Sequence, residues 1–250
     1  MRSRDQPVWD KPQPVERPAP APLSREQIVA AALAIADAEG LASVSLRNVA
    51  ANLGVGPMRL YRYLSTKEQL LDLMVDAVYG EMSSVDSTNS DWRGALRSIA
   101  HRTRTVARRH PWFTDLLGGR PHFGPNALAH HEQIFGAVNG TPGFEHIDNV
   151  MRAIRTVFAY VIGAISSEAS QLRNERESTL DEAQWRAASW PYIQRLIATG
   201  RYPMLEKIVR DATHQSPDVE FDEGLECVLD GIAARFQVHA KGKTAKRPSS

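Results

Sequence analysis

Apolar residues recur every three or four positions along most of the chain, and no segment alternates apolar and polar residues as a half-buried strand would. The first such stripe runs from Ile28 to Ile35. Ser24 and Gln27 precede it with the spacing of a capping box, and Gly40 follows it at a position typical of a helix end. The pattern therefore predicts an all-α fold whose first helix begins after Ser24 and ends at Gly40.

Two short helices are predicted next, separated by a turn that contains glycine. Ser45 has the position of an N-cap for the second helix, and Gly54 marks the end of that helix. The third helix is expected over Pro57–Tyr63, because a proline is tolerated as the first residue of a helix. Ser65 and Glu68 have the spacing of another capping box, which predicts the start of a fourth helix.

The rest of the chain predicts a larger helical domain. Between Trp92 and Arg109, a seam of apolar residues and a seam of cations both repeat at helical spacing, which indicates a long amphipathic helix. Its cations are expected to form a solvated face paired with acids elsewhere, with contact to DNA as the alternative. Further helices are predicted over Asn126–Val138 and Phe144–Gln171, from about Thr179 with an interruption at Pro191, from Pro203, and along the apolar stripe from Phe221 to Phe236.

Charge and cysteine content add few constraints. The formal net charge is +1, which excludes little because a nucleic-acid binder can confine its positive charge to one face. Cys227 is the single cysteine, so the chain has no internal disulfide and no cysteine-based zinc cluster. This usage fits a reducing compartment, and the thiol is expected to be an inert core residue.

Several functional classes lack their signatures in this sequence. No apolar run approaches the roughly 18 residues that span a bilayer, and the N-terminus has no hydrophobic region typical of a signal peptide. No nucleophile motif, glycine-rich phosphate loop or metal-ligand spacing is present. We therefore expect a cytoplasmic protein that is not an enzyme, uses no cofactor and contacts no membrane.

The two short helices carry the chemistry that points to a function. The interval from Arg47 to Lys67 contains cations and no acid over 21 residues. Leu60 and Leu64, four residues apart, are expected to face inward, which leaves the other side of the third helix outward. This arrangement predicts a helix-turn-helix whose second helix enters the major groove of DNA.

Individual contacts follow from the chemistry of the outward residues. Met58, Arg59, Arg62 and Tyr63 are expected on the outward side, where Arg59 suits a guanine edge and Met58 suits a thymine methyl group. The residues expected to contact phosphates are Tyr61, Tyr63 and Lys67, with Arg47 on a phosphate or a flanking base.

With these residues in place, the chain resembles the tetracycline-repressor (TetR) family. The segment from Ser24 to Glu81 is similar to the DNA-binding domain of that family, and its motif is LGVGPMRLYRYLSTKEQLLDLM from Leu53 to Met74. The C-terminal half is similar to the ligand-binding domain of the tetracycline-repressor subgroup. The motifs that carry this second similarity are RHPW (Arg109–Trp112), GPNAL (Gly124–Leu128), GRYP (Gly200–Pro203) and FDEGLECVLDGIA (Phe221–Ala233).

The resemblance implies a homodimeric, ligand-responsive repressor that binds a palindromic operator in double-stranded DNA and is released by a small-molecule effector. The residues implied at the DNA are Arg47, Pro57, Met58, Arg59, Tyr61, Arg62, Tyr63 and Lys67. Two features depart from the family pattern. Arg59 stands where relatives commonly carry serine or threonine, and the histidine and acid pattern that binds magnesium-tetracycline is not recognisable, so no metal site is expected.

The domains expected are a disordered proline-rich arm over residues 1–22, a helix-turn-helix DNA-binding domain over 23–81, a ligand-binding and dimerisation domain over 90–239, and a disordered basic tail over 240–250. The cations of the arm and the tail are expected to be solvated, and the alternative is that they make weak contacts with DNA phosphates. An effector-independent DNA-binding or protein-interaction module is the alternative to the repressor.

Ligand and dimer contacts are predicted from aromatic, polar and apolar positions on the later helices. The ligand candidates, each of which has ordinary core packing as its alternative, are His101, Trp112, Phe113, Asn126, Phe158 and Trp185. The dimer-interface candidates on the terminal helix, with the same alternative, are Leu225, Leu229, Ile232 and Phe236. The resemblance to the family, whose dimers pair two helices at the interface, adds Trp190, Ile193 and Ile197. His130, His131 and Glu132 are interpreted as a solvated face, because adjacent histidines on a helix point about 100 degrees apart and do not chelate.

Overall fold

The computed structural model describes residues 22–82, 91–117, 122–177, 182–213 and 215–238, and within these ranges its regular structure is helical, which confirms the all-α fold. A small N-terminal helix-turn-helix domain, which we call the head, joins a larger helical domain, which we call the body. The α-helices are α1 (Arg25–Glu39), α2 (Leu46–Asn52), α3 (Pro57–Leu60), α4 (Lys67–Met82), α5 (Trp92–Arg109), α6 (Pro125–Val138), α7 (Ile147–Glu177), α8 (Glu182–Ile197), α9 (Pro203–Asp211) and α10 (Pro217–Phe236).

The first two helices begin where the caps predicted them. The Ser24 hydroxyl accepts a hydrogen bond from Gln27 N at 3.2 Å, and Gln27 Oε1 accepts one from Ser24 N at 3.0 Å, which completes the capping box. The Ser45 hydroxyl accepts from Asn48 N at 3.1 Å. Gly40 ends α1 with φ +84°, a conformation that glycine adopts without strain.

The start of α4 corrects the predicted cap. The Thr66 hydroxyl, rather than that of Ser65, accepts a hydrogen bond from Gln69 N at 3.3 Å. Gln69 Oε1 in turn accepts from Ser65 N at 2.7 Å. Ser65 and Thr66 both carry a hydroxyl, so the sequence offered two possible registers, and α4 uses the one that begins at Lys67.

Two longer helices also differ from their predicted bounds. Phe144 lies in the turn before α7, with its amide bonded to Thr141 O at 2.9 Å, and α7 continues past Gln171 to Glu177. Pro191 lies inside a continuous α8 instead of interrupting it. An exposed helix can lose one backbone hydrogen bond at a proline and kink without ending. The predictions for the arm, for a helix start near Thr179 and for the tail fall outside the described residues, except for Pro22.

The apolar core has two parts that meet at the junction of head and body. The head core contains Ile28, Val49, Leu60 and Met74, and it continues onto Phe113 of the body. The body core is built from one face each of α5, α6, α7 and α10. The head is therefore packed against the body rather than tethered to it by α4 alone.

The row of cations on α5 faces acids, as predicted. The acids lie four residues apart on α10, which runs antiparallel to α5, so the pairs form a ladder. Its pairs are Arg93–Asp230, Arg97–Glu226, His101–Asp222, Arg104–Asp218 and Arg108–Asp218. A hydrogen bond from Arg97 lowers the pKa of Glu226 below its ordinary value.

Arg104 differs from the rest of the ladder because it is 5 % exposed. Its guanidinium donates to Glu168 on α7 at 3.0 Å and to Pro217 O at 2.9 Å, and it lies 4.4 Å above the ring of Phe221. A buried cation needs such partners to offset its lost hydration. Arg104 therefore joins α5, α7 and α10 at one point.

Helix α7 corrects the expectation that no apolar segment is long enough to span a bilayer. Over Ile147–Asn174 it is long and apolar enough to cross a membrane by length and composition. The central helix of a soluble protein passes the same test, and one face of α7 packs into the body core.

Candidate nucleic-acid interface

Helix α3 is a single turn held by two leucines. Leu60 and Leu64 are buried in the head core, as predicted. The α-helix ends at Leu60 instead of Tyr63, because the chain tightens into a turn in which the amides of Tyr63 and Leu64 both donate to Leu60 O. This turn leaves Met58 77 % exposed and Tyr61 50 % exposed.

Most of the other predicted DNA contacts of the head are also exposed. Arg47 at the start of α2, Pro57 and Arg62 are exposed, and so is Lys67 at the start of α4. Arg59 is half-buried. Three of the four cations of this interval are thus exposed, and α2 and α3 are joined through Gly54 at φ +65°.

Tyr63 is the exception, and its predicted outward placement is wrong. The side chain is half-buried against the head core, and its hydroxyl donates to Leu23 O at 2.5 Å. The single hydroxyl proton is therefore used inside the protein and is not available to a phosphate oxygen. Tyr63 ties the turn after α3 to the residue that precedes α1.

Asn48, which was not among the predicted residues, holds α2 in place. Its side-chain amide donates to Ser43 O at 2.7 Å, so α2 is fixed to the turn that precedes it. The signal was present in the sequence, because asparagine at the third position of a serine-capped helix lies close to the incoming chain.

Asp76 connects the head to the body and was also missed. This buried residue of α4 accepts hydrogen bonds from the backbone amides of Asn126 and Ala127, each at 3.0 Å, at the start of α6. The Asn126 side chain donates to Asp76 as well. Gly124 has no space for a Cβ, because that atom would overlap Asp76. A carboxylate from α4 therefore caps the N-terminus of α6.

A second polar link joins the same two parts. The ring of His110 is buried between Asp37 of α1, 2.7 Å from Nδ1, and Glu81 of α4, 3.2 Å from Nε2. Trp112 Nε1 donates to Asp37 at 2.7 Å, and Arg109 pairs with Glu81 at 2.6 Å. The RHPW segment thus holds two head helices against the end of α5.

The predicted ligand contacts do not converge on one cavity. Trp112 and Phe113 are buried in the head core, and Asn126 is bonded to Asp76. His101 is paired with Asp222 on the ladder. The other two candidates are Phe158, packed against the body core, and Trp185, 60 % exposed on α8. An open groove of about 230 Å³ lies instead beside Arg104, where α5, α7 and α10 meet.

The predicted dimer contacts divide into two groups. Leu225, Leu229 and Ile232 lie inside the body core at 1 %, 0 % and 4 % exposure, so assigning them to an interface was wrong. Phe236 is half-buried and packs against Phe144. On α8, by contrast, Trp190 is 42 % exposed, and Ile193 and Ile197 are half-buried.

Two further expectations are corrected. Cys227 is exposed on α10 and is not a core thiol. His130 is 1 % exposed, so it does not belong to a solvated face. Among the residues that the structure describes, no group of three or more His, Cys, Asp or Glu side chains is arranged to hold a metal ion.

An exposed one-turn helix on a capped head, fixed to a helical body, is the architecture of a helix-turn-helix transcription regulator. Family models agree with it: "Bacterial regulatory proteins, tetR family" matches residues 28–74, and "Tetracyclin repressor-like, C-terminal domain" matches residues 86–236. The chain belongs to the TetR family of transcriptional regulators.

Similar proteins include regulators from several bacteria. The chain is 36 % identical over 227 residues to the HTH-type transcriptional repressor DrrR1 of Streptomyces coeruleorubidus, covering 90 % of this chain and 83 % of DrrR1. It is 26 % identical to the class A tetracycline repressor of transposon 1721 from Escherichia coli, covering 85 % and 92 %. The solved structure of Streptomyces coelicolor ActR with actinorhodin matches with a TM-score of 0.70 and 25 % identity, covering 86 % and 99 %.

Proposed function

We propose that this protein is a cytoplasmic repressor that binds a palindromic operator as a homodimer and is released by a small molecule. The observation that carries the proposal is the accessible cationic surface around α3, on a head that Asp76 couples to the body. The repressor DrrR1 and the ligand-bound ActR, both similar over most of this chain, support it. The class also fits a protein without enzymatic activity.

Selection of DNA from a random pool tests the proposal. The full-length protein should enrich a palindromic sequence, because a second head doubles the base and phosphate contacts. A repressor should also release that DNA when its effector is added. Failure to enrich any sequence would contradict operator recognition, and DNA binding that no small molecule changes would favour an effector-independent module.

The proposed dimer uses the apolar surface of α8 and α9. Each of these helices exposes large apolar side chains, and their main contacts within the chain are with each other. A monomer rarely exposes so many apolar groups together, whereas a second copy would bury them. The residues of this surface, which we call the α8–α9 surface, are Trp190, Tyr192, Ile193, Ile197, Met204, Leu205, Ile208 and Val209.

The DNA contacts that we propose are the residues predicted from the sequence, with the exception of Tyr63. Met58 and Arg59 are assigned to base edges. The remaining contacts are assigned to the backbone or to the positioning of α3, and they are Arg47, Pro57, Tyr61, Arg62 and Lys67. Tyr63 is assigned to positioning through Leu23.

Replacement of Lys67 by alanine should weaken binding to every DNA sequence. Each phosphate contact that is lost should reduce the slope of log K against log salt by about one unit, or about two per dimer. Arg235→Ala is the matched control, since that exposed cation ends α10, away from the head. A titration over a range of salt concentrations measures the slope, and an unchanged slope would remove Lys67 from the phosphate contacts.

Replacement of Arg59 by alanine should relax the preference at one position of each half-site. A bidentate contact to guanine contributes about 1–3 kcal/mol of discrimination. Competition between the selected operator and its single-base variants measures this preference. Equal losses on operator and random DNA would show that Arg59 contacts phosphate instead.

A further inference from the structure

The head is attached to the body at α1 as well as at α4, and the RHPW segment makes the attachment at α1. Asp37 Oδ1, on the last turn of α1, accepts a hydrogen bond from Trp112 Nε1 at 2.7 Å and lies 2.7 Å from His110 Nδ1. The other ring nitrogen of His110 lies 3.2 Å from Glu81 of α4. His110, which directly follows α5, therefore contacts two helices of the head.

The two rings that face Asp37 are held in place by packing. His110 and Trp112 are each 4 % exposed, and their ring centroids lie 5.9 Å apart in an edge contact. Trp112 makes a second edge contact with Phe113, which packs in turn against Tyr79 of α4. Closely packed side chains with two rotatable bonds keep one rotamer. Asp37 therefore meets partners at fixed positions on the body.

Helix α1 transmits this attachment to the DNA-reading turn. Its residue Ile28 packs in the head core with Leu60 of α3. The Tyr63 hydroxyl, just after α3, donates to Leu23 O, just before α1. The orientation of α1 on the body is therefore also the orientation of α3.

The attachment at Asp37 adds a second fixed point to the one at Asp76. The two points use different helices of the head, and they meet different parts of the body, the end of α5 and the start of α6. A rigid head held at Asp76 alone could pivot about that point in any direction. Two points restrict it to rotation around the line that joins them.

We propose that His110 and Trp112 are positioning residues that fix the angle of each head on its body, and thereby the spacing of the two half-sites that a dimer accepts. Half-sites one helical turn apart have centres about 34–36 Å, or about 10 bp, apart, so one added base pair changes their separation by about 3.4 Å and their relative rotation by about 36°. Heads at fixed angles follow such a change only if the DNA deforms, which costs free energy. The inference rests on the proposed homodimer and its palindromic operator.

This role is separable from the reading of bases. His110 and Trp112 are buried, whereas the residues proposed to contact base edges are Met58 and Arg59 on α3. Loss of the attachment at Asp37 should therefore weaken the preference for one spacing and leave the base preference within each half-site unchanged. A substitution that only destabilised the head would weaken both preferences together.

Binding of the full-length protein to the selected operator, and to versions with one base pair added or removed between the half-sites, tests the inference. The wild type should prefer the selected spacing by at least about tenfold, which corresponds to about 1.4 kcal/mol of DNA deformation. His110→Phe keeps a ring but removes both nitrogens, and its preference should fall to about threefold or less, because a head that can rotate follows the added base pair without deforming the DNA. Competition with single-base variants of one half-site should rank the bases equally for both proteins.

His146→Phe is the matched control, since His146 is exposed in the turn before α7, and it should keep the wild-type spacing preference. Should His110→Phe not fold, as judged by circular dichroism, Trp112→Phe replaces it, because that change removes the other hydrogen bond to Asp37.

An unchanged spacing preference in the folded variant, or an equal loss of spacing and base preference, would overturn the inference. A wild-type protein that selects an operator but tolerates every spacing would overturn it too, and the repressor function would stand. Failure to select any palindromic DNA would defeat the repressor function, and the inference with it.

Discussion

Replacement of Ile208 by aspartate is expected to give a monomer that binds the selected operator about a thousandfold more weakly than the wild type. A monomer presents one head, so it loses much of the difference in affinity between specific and non-specific DNA. Ile208 is 53 % exposed in the single chain and lies on the apolar side of α9 with Leu205 and Val209. In the proposed dimer, aspartate would place a carboxylate in a buried apolar contact without a partner.

Analytical ultracentrifugation and gel-shift titration measure the two parts of this prediction. Lys207→Asp is the control, because Lys207 is exposed on the polar side of the same helix. The control should remain a dimer. A dimeric Ile208→Asp protein with unchanged operator affinity would show that the α8–α9 surface is not the interface.

Replacement of Asp76 by alanine is expected to lower the free energy of unfolding by about 2–4 kcal/mol, because two backbone amides at the start of α6 lose a charged acceptor. The buried setting at 8 % exposure leaves little access for water to take its place. The same substitution should weaken the response of operator binding to an effector, since α4 and α6 would no longer be joined there.

Urea denaturation measures the loss of stability, with Asp72→Ala, an exposed acid on the same helix, as the control. The control should change the free energy of unfolding by less than about 0.5 kcal/mol. A similarly small change for Asp76→Ala would mean that α6 does not depend on this cap.

Local features of the fold were predictable because their causes lie within a few residues. Ser24, Ser45 and Pro57 each mark a helix start through a hydrogen bond or a restricted φ of the neighbouring backbone, and the structure has helices at those positions. The cap of α4 was misplaced by one residue for the same reason, since Ser65 and Thr66 offer similar local chemistry.

Features that depend on distant parts of the chain were not predictable. The apolar stripe of α10 specified that one face is buried, but it did not specify whether its own body or a second copy covers Leu225 and Ile232. Trp112 likewise gave no sign that its partner is Asp37 on α1. For Asp76 a signal existed, since an acid in the apolar stripe of α4 needs a partner, but that partner lies 50 residues away.

The α5–α10 ladder has a consequence for the alignment of these helices. Its acids repeat every four residues at 218, 222, 226 and 230, and the buried residues of α10 have nearly the same repeat. A slip of α10 by one turn would therefore exchange most ion pairs and apolar contacts for equivalent ones. Gly224 breaks the equivalence, because Tyr160 occupies the space of its missing side chain, and a slipped helix would bring Glu220 or Val228 there. One absent methyl group thus selects a single register from a repeating interface.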